Sequence, residues 1–279
     1  MSAPIRSSYH THSHYCDGEG EIQEVIEAAI AAGLTEVGIS SHAPLPFETG
    51  WTMSPERLAD YVAEVRELQR RYAGRIRVLL SAEIDYIPNA DVVRFQEESI
   101  FPLGFDYFVG SVHFLGQPDQ PRSYDDDEEG FVAILREEYD GDMSAMATEY
   151  YRRMQGVLTI PGVRIVGHLD RIKRWNAGKN YFTGEEPWYR QAVEQTLRAI
   201  AASGHIVELN TSAWRRGFDE PYPSVAILER IHDLGIPVTV NSDSHTPAEV
   251  DRDFDRAAQL LQDLGIRPVM LDDVFPRSV

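Results

Sequence analysis

Polar residues at or near the ends of short apolar runs recur along this 279-residue chain at intervals of 30 to 55 residues: His10, His42, Glu83, His113, His168, Asn210 and Asp243. The runs are Val37–His42, Ile76–Leu80, Tyr107–His113, Ile165–His168, Ile206–Asn210 and Val238–Asp243; a weaker one, Arg6–Tyr9, precedes His10. Helix-periodic stretches lie between most of them. Ser54-Pro55-Glu56 reads as one helix start, with Ser as N-cap and Pro at the first helical position. Leu58, Tyr61, Val62, Val65 and Leu68 then follow at helical spacing. Repeated strand–helix units of this length build one parallel sheet rather than a solenoid. An open doubly wound sheet concentrates its site at a single switch point. Here the candidate groups stand at six or seven different strand ends, as on the C-terminal rim of a closed barrel. No Pro- or Gly-rich linker divides the chain, so residues 1–279 read as one domain.

The strand-end residues are metal-binding types. His10-Thr11-His12 puts two imidazoles at i and i+2, which share a face on a strand. Asp243-Ser244-His245 has the same spacing, provided the last strand persists that far. Asp17, His42, Glu83, His113 and His168 bring the candidate set to nine. A single catalytic ion takes three or four protein groups, so nine suit two or three ions. A carboxylate such as Glu83 bridges a pair of cations where an imidazole does not. Sets of His and carboxylate accept manganese, iron and zinc alike. Cations held in this way lower the pKa of water and stabilise charge on phosphate oxygens, chemistry that suits hydrolysis of a phosphate monoester and needs no activated Ser or Cys.

Charge narrows the partners. With 26 basic against 45 acidic residues the chain carries a net −19, which argues against sequence-independent binding to DNA or anionic membranes. The lone Cys16 excludes an intramolecular disulfide and a Cys₄ zinc site, and no nucleophile motif surrounds it. A reducing compartment is the simplest reading. With no signal-like start and no run of 18 apolar residues, a soluble cytoplasmic protein is expected. The charge is also uneven. Tyr124–Asp142 holds nine acids and one base and reads as a solvated helical face or loop, since the ligand spacing of an EF-hand is missing. Arg164–Lys179 is the reverse, with Arg164, Arg171, Lys173, Arg174 and Lys179 against Asp170. A guanidinium grips phosphate through two hydrogen bonds. Arg171, three residues past His168, is therefore the first candidate for substrate phosphate, followed by Arg174 and by Arg215 and Arg216 after Asn210-Thr211-Ser212.

Taken as a set, His10-Thr11-His12…Asp17-Gly18, His42, Glu83, Ser111-Val112-His113-Phe114, Gly167-His168 and Ser242-Asp243-Ser244-His245 resemble the polymerase-and-histidinol-phosphatase (PHP) family over about residues 9 to 250. The Glu208–Ser212 and Ser242–Thr246 stretches look most like its stand-alone histidinol-phosphatases. The resemblance implies a distorted (β/α)₇ TIM-like barrel with three divalent ions, Mn, Fe or Zn. It implies a first metal on His10, His12, Glu83 and Asp243, a second on Glu83, His113 and His168, and a third on Asp17, His42 and His245. His14, three residues before Asp17, competes for that place. Glu83, Asp243 and His245 would be catalytic as well as ligating. The implied reaction is hydrolysis of L-histidinol phosphate in histidine biosynthesis, with a small phosphorylated substrate and neither nucleic acid nor membrane as partner. The rivals are a PHP phosphoesterase acting on a nucleotide or another small ester, and a non-catalytic metal-stabilised module.

Overall fold

The apolar runs become parallel strands. The computed structural model describes residues 4–276. In chain order these form β1 (Ser7–Ser8), α1 (Ile22–Ala31), β2 (Glu36–Ile39), α2 (Leu58–Tyr72), β3 (Arg77–Leu80), β4 (Glu83–Asp85), α3 (Ala90–Phe95), β5 (Phe108–Ser111), β6 (Phe114–Leu115) and β7 (Arg122–Ser123). There follow α4 (Glu128–Tyr139), α5 (Met143–Val157), β8 (Val163–Val166), α6 (Pro187–Ser203), β9 (Ile206–Asn210), α7 (Ser212–Arg215), α8 (Val225–Asp233), β10 (Val238–Asn241), α9 (Phe254–Asp263) and α10 (Leu271–Val274).

Two parallel sheets, β1-β2-β3 and β10-β9-β8-β5-β4, are joined at both seams by single bridges, Thr11 to Ser244 and His42 to Glu83. At the first seam the His12 N–H donates to the Ser244 carbonyl at 2.8 Å; at the second the Ala43 N–H donates to the Glu83 carbonyl at 2.8 Å. β3 and β4 are two pieces of one stave, interrupted at Ser81-Ala82, where the Tyr61 hydroxyl of α2 lies 2.8 Å from the Ile39 carbonyl and 2.7 Å from that of Ser81. The ring therefore has seven staves and is distorted where its ladders thin to single bridges. The β6–β7 hairpin is antiparallel and stands outside it.

Strand alternation sorts the core into two layers. Leu79, Val109, Ile165 and Ile206 pack inside the ring with Tyr9 and Tyr107, and Leu271 of α10 joins them. Val78, Leu80, Phe108, Val166 and Val207 pack with the apolar stripes of the helices. On α2 that stripe is Leu58, Tyr61, Val65, Leu68 and Tyr72, close to the spacing read from sequence. The helix start differs: Pro55–Arg57 forms a 3₁₀ turn ahead of α2, and the Ser54 side chain makes no capping bond.

Both strands at the first seam end early. β1 stops at Ser8, so His10 and His12 lie on an extended segment held by the Thr11 bridge rather than in a full ladder. β10 stops at Asn241, and Asp243 adopts a left-handed conformation at φ 51°. The i, i+2 strand geometry expected for Asp243 and His245 is thus replaced by a turn. Most of the acidic stretch does form a solvated helix, α4, capped by Asp127, whose carboxylate accepts the Gly130 N–H at 2.6 Å. Among the described residues no helix is long and apolar enough to cross a membrane.

Candidate metal centre

Segments just past β1, β2, β5, β8 and β10, with Glu83 at the start of β4, bring all nine candidate ligands together. They fall into overlapping groups: His12, Asp17, His42 and His245; His10, His168 and Asp243; His10, His12 and Glu83; and His42, Glu83 and His113. Within each group one ligand-capable atom per residue lies within 4.8 Å of the others. Glu83 stands at the middle. Its Oε2 faces His10 Nε2 at 3.1 Å, His42 Nδ1 at 3.0 Å and His12 Nε2 at 3.6 Å. Its Oε1 faces His168 Nε2 at 2.9 Å and His113 Nε2 at 3.6 Å. One carboxylate thereby offers each oxygen to a different set of imidazoles. Asp243 Oδ1 lies 3.2 Å from His12 Nε2 and 3.7 Å from His10 Nε2, and Asp17 Oδ2 lies 3.3 Å from His245 Nε2. His14 stays outside these groups, with Nδ1 3.3 Å from Glu21.

The donor set fits divalent cations. Buried ring nitrogens of His10 (Nε2), His12 (Nε2) and His42 (Nδ1) have no hydrogen-bond partner, although buried polar atoms are nearly always satisfied. Burial opposes ionisation of Glu83, yet His10, His42 and His113 hold it well below the usual carboxylate range. Asp243 is lowered likewise, with His10 and His12 outweighing burial. Burial also opposes charge on His10, but Glu208, Glu83 and Asp243 raise its pKa well above that of an ordinary imidazole. His12 is pushed down to about 3 by burial and by its neighbours His245 and His42. Ionised carboxylates set among closely spaced imidazoles are the electrostatics of a cation site.

A second row of residues aims the first. Glu208 lies 3.0 Å from His10 Nδ1 and accepts from the His168 N–H at 2.7 Å, the Asn210 amide at 2.8 Å and the Asn241 amide at 2.7 Å. Asp85 lies 3.1 Å from His113 Nδ1 and accepts the His113 N–H at 2.8 Å. Ser111 donates to Glu83 Oε1 at 2.5 Å. Carboxylates behind ligating imidazoles fix tautomer and orientation. Sequence reading did not assign these roles to Glu208 and Asp85. The available signal was the i, i+2 pairing of Glu83 with Asp85 and of Glu208 with Asn210, which shares a strand face.

Above the centre opens a cleft of about 400 Å³ lined by Asp17, His42, Trp51, His113 and His245 together with Asp125, Asp126, Arg171, Arg174, Arg215 and Arg216. Arg171 is buried and already engaged: Nε and Nη2 donate to Asp125 at 3.0 and 2.7 Å, and Nη1 donates to Asp243 Oδ2 at 3.3 Å. Arg174 also pairs with Asp125, and Arg215 with Glu249. Arg216, exposed at the cleft rim, has no carboxylate partner among the described residues, and partial desolvation with Arg171 and Arg174 nearby pushes its pKa down to about 10, still charged at neutrality. Asp125, read from sequence as part of a solvated run, is in fact buried between two guanidiniums. The Cys16 thiol, 3.5 Å from His12 Nδ1, is pushed up to about 11 by burial and by Asp17, so it stays protonated.

A parallel-stranded ring whose strand ends gather nine metal-capable side chains beneath an arginine-lined cleft is a barrel arranged to hold divalent cations. The PHP domain model matches residues 8–212, and the chain belongs to the PHP family. A "probable histidinol-phosphatase" from Deinococcus radiodurans is 30% identical over 93% of this chain and 94% of its own length. A histidinol-phosphatase from Lactococcus lactis is 24% identical over 92% of this chain and 90% of its own. The crystal structure of Lactococcus lactis histidinol phosphate phosphatase with zinc, L-histidinol and phosphate shares the fold, with a TM-score of 0.71 at 22% identity over 96% of each chain.

Proposed function

We propose that this chain is a metal-dependent histidinol-phosphatase that hydrolyses L-histidinol phosphate to L-histidinol and phosphate, a step of histidine biosynthesis. The observation that carries the reaction class is the convergence of the nine ligands below a cleft rich in arginine. The substrate rests on the relatives, which carry the same name along nearly their whole length. His10, His12, Glu83 and Asp243 would hold one cation, Glu83, His113 and His168 a second, and Asp17, His42 and His245 a third, with manganese, iron or zinc as occupants. The position of Glu83, one oxygen toward each set of imidazoles, supports its bridging role.

Bound divalent cations would supply a lowered pKa for the attacking water and charge neutralisation at the phosphate. The chain's own residues do the rest. Glu208 and Asp85 hold His10 and His113 in register. Asp125 fixes the Arg171 fork, and Arg171 in turn contacts Asp243. Arg216, and any donors that Arg171, Arg174 and Arg215 release, meet the phosphate and stabilise its charge. Phosphate release from L-histidinol phosphate, from nucleoside monophosphates and from sugar phosphates tests the reading after chelation and metal re-addition. The expected result is turnover lost on chelation, restored by manganese or zinc, and highest for histidinol phosphate. A preference for nucleotides would replace this substrate with the rival one.

A further inference from the structure

Once folded, the acidic stretch after Ser123 splits. Asp125 turns inward onto Arg171 and Arg174, while Asp126 stays exposed at the rim of the same cleft. Asp126 is held in a fixed pose. Its Oδ1 accepts the Trp51 Nε1–H at 2.9 Å and the Ser123 hydroxyl at 2.8 Å. Trp51 is itself braced, stacked on Phe114 at a centroid distance of 5.6 Å and edge-on to His42 at 4.5 Å and His113 at 5.3 Å. Both donors meet Oδ1, which leaves Oδ2 without one, and among the described residues Asp126 has no cationic partner. Of the carboxylates lining the cleft, Asp17 belongs to the ligand groups and Asp125 is matched by two guanidiniums. Asp126 alone is uncompensated. The cleft thus offers an arginine cluster for a dianionic phosphate and one oriented carboxylate that repels a second anion and attracts a cation.

We propose that Asp126, positioned by Trp51, is a specificity-determining residue that binds a cationic nitrogen of the phosphate ester. The proposal rests on the reading of this cleft as the phosphatase site. Such a role gives the start of the acidic stretch a function that its solvated helix does not explain.

The test is the ratio of kcat/KM between esters that carry a cationic nitrogen and one that does not. L-histidinol phosphate and ethanolamine phosphate are compared with p-nitrophenyl phosphate, all in the metal-loaded enzyme. Asp126→Asn keeps the shape and the acceptor for Trp51 but removes the charge. It should lower the ratio about fivefold, the upper range for a solvent-accessible charge pair, mainly through KM for the cationic esters. Asp126→Glu should recover part of the ratio, and Trp51→Phe, which removes the N–H donor, should lower it by less. A merely structural role would depress all three substrates together, and an unchanged ratio in Asp126→Asn overturns the proposal. If the wild-type enzyme hydrolyses the other esters but not histidinol phosphate, the functional reading fails instead. The ethanolamine phosphate to p-nitrophenyl phosphate ratio then still decides the role of Asp126.

Discussion

Glu208 lies 3.0 Å from Nδ1 of His10, on the side of the imidazole away from Glu83. The pair fixes the ring so that Nε2 points into the centre, and three further donors hold Glu208 in place. Glu208→Gln keeps the size but weakens this hold, and an amide oxygen is a poorer acceptor than a carboxylate. Loss of such a partner typically costs about 10–100-fold in metal affinity or activity. The expected outcome is weaker metal binding by titration calorimetry with the fold retained by circular dichroism. Unaltered affinity would reduce Glu208 to a buried hydrogen-bond hub.

Arg171, three residues after His168, is buried between Asp125 and Asp243. Arg171→Ala should lower kcat/KM at least about tenfold, since a charge-assisted hydrogen bond is worth roughly 1.5–3 kcal/mol. It should also lower Tm. Breaking a buried ion pair costs about 3–5 kcal/mol when the partner is left alone; Arg174 remains on Asp125, so the loss lies below that range. Arg171→Lys should restore only part of the activity, because an ammonium lacks the planar fork. Wild-type kcat/KM in the alanine variant would leave Arg216 as the first phosphate contact to test.

Gly38 on β2 points into the ring, where a Cβ would come within 1.8 Å of the Tyr107 hydroxyl and 3.2 Å of the Tyr9 Cα. That hydroxyl donates to the Tyr9 carbonyl at 2.5 Å and is not free to swing away. Overpacking of this kind costs about 1–3 kcal/mol. Thermal unfolding of Gly38→Ala should therefore show a Tm several degrees lower. An unchanged Tm would mean that the inner layer is looser than the Tyr9–Tyr107 contact implies.

Much of this centre was legible because strand-end position and ligand chemistry coincide. His42, Glu83, His113 and His168 each end or follow an apolar run, so the sequence pattern already placed them on one rim. The parallel ring could be read from the same spacing. What escaped has a physical reason in each case. Asp243 reaches the centre through a left-handed turn, which strand periodicity does not encode. Asp125 sits in a run of acids, and only the fold shows that it turns onto Arg171 while Asp126 stays at the cleft rim and Asp127, Glu128 and Glu129 cap and coat α4. Glu208 and Asp85 act one layer behind the ligands. Their partners are distant in the chain or reached only by folding; Glu208 stands out in the sequence only as part of the family-like Glu208–Ser212 stretch, without a role, and nothing local marks Asp85.

In the proposed centre one carboxylate, Glu83, joins the cation sites. The most direct measurement is bound metal by inductively coupled plasma mass spectrometry alongside phosphate release from L-histidinol phosphate, on wild-type protein and Glu83→Gln. Glutamine keeps the shape but removes the charge and offers one acceptor oxygen in place of two. If Glu83 bridges, metal content and turnover fall together in the variant. A Glu83→Gln protein with full metal content and near-normal turnover would contradict the bridging role.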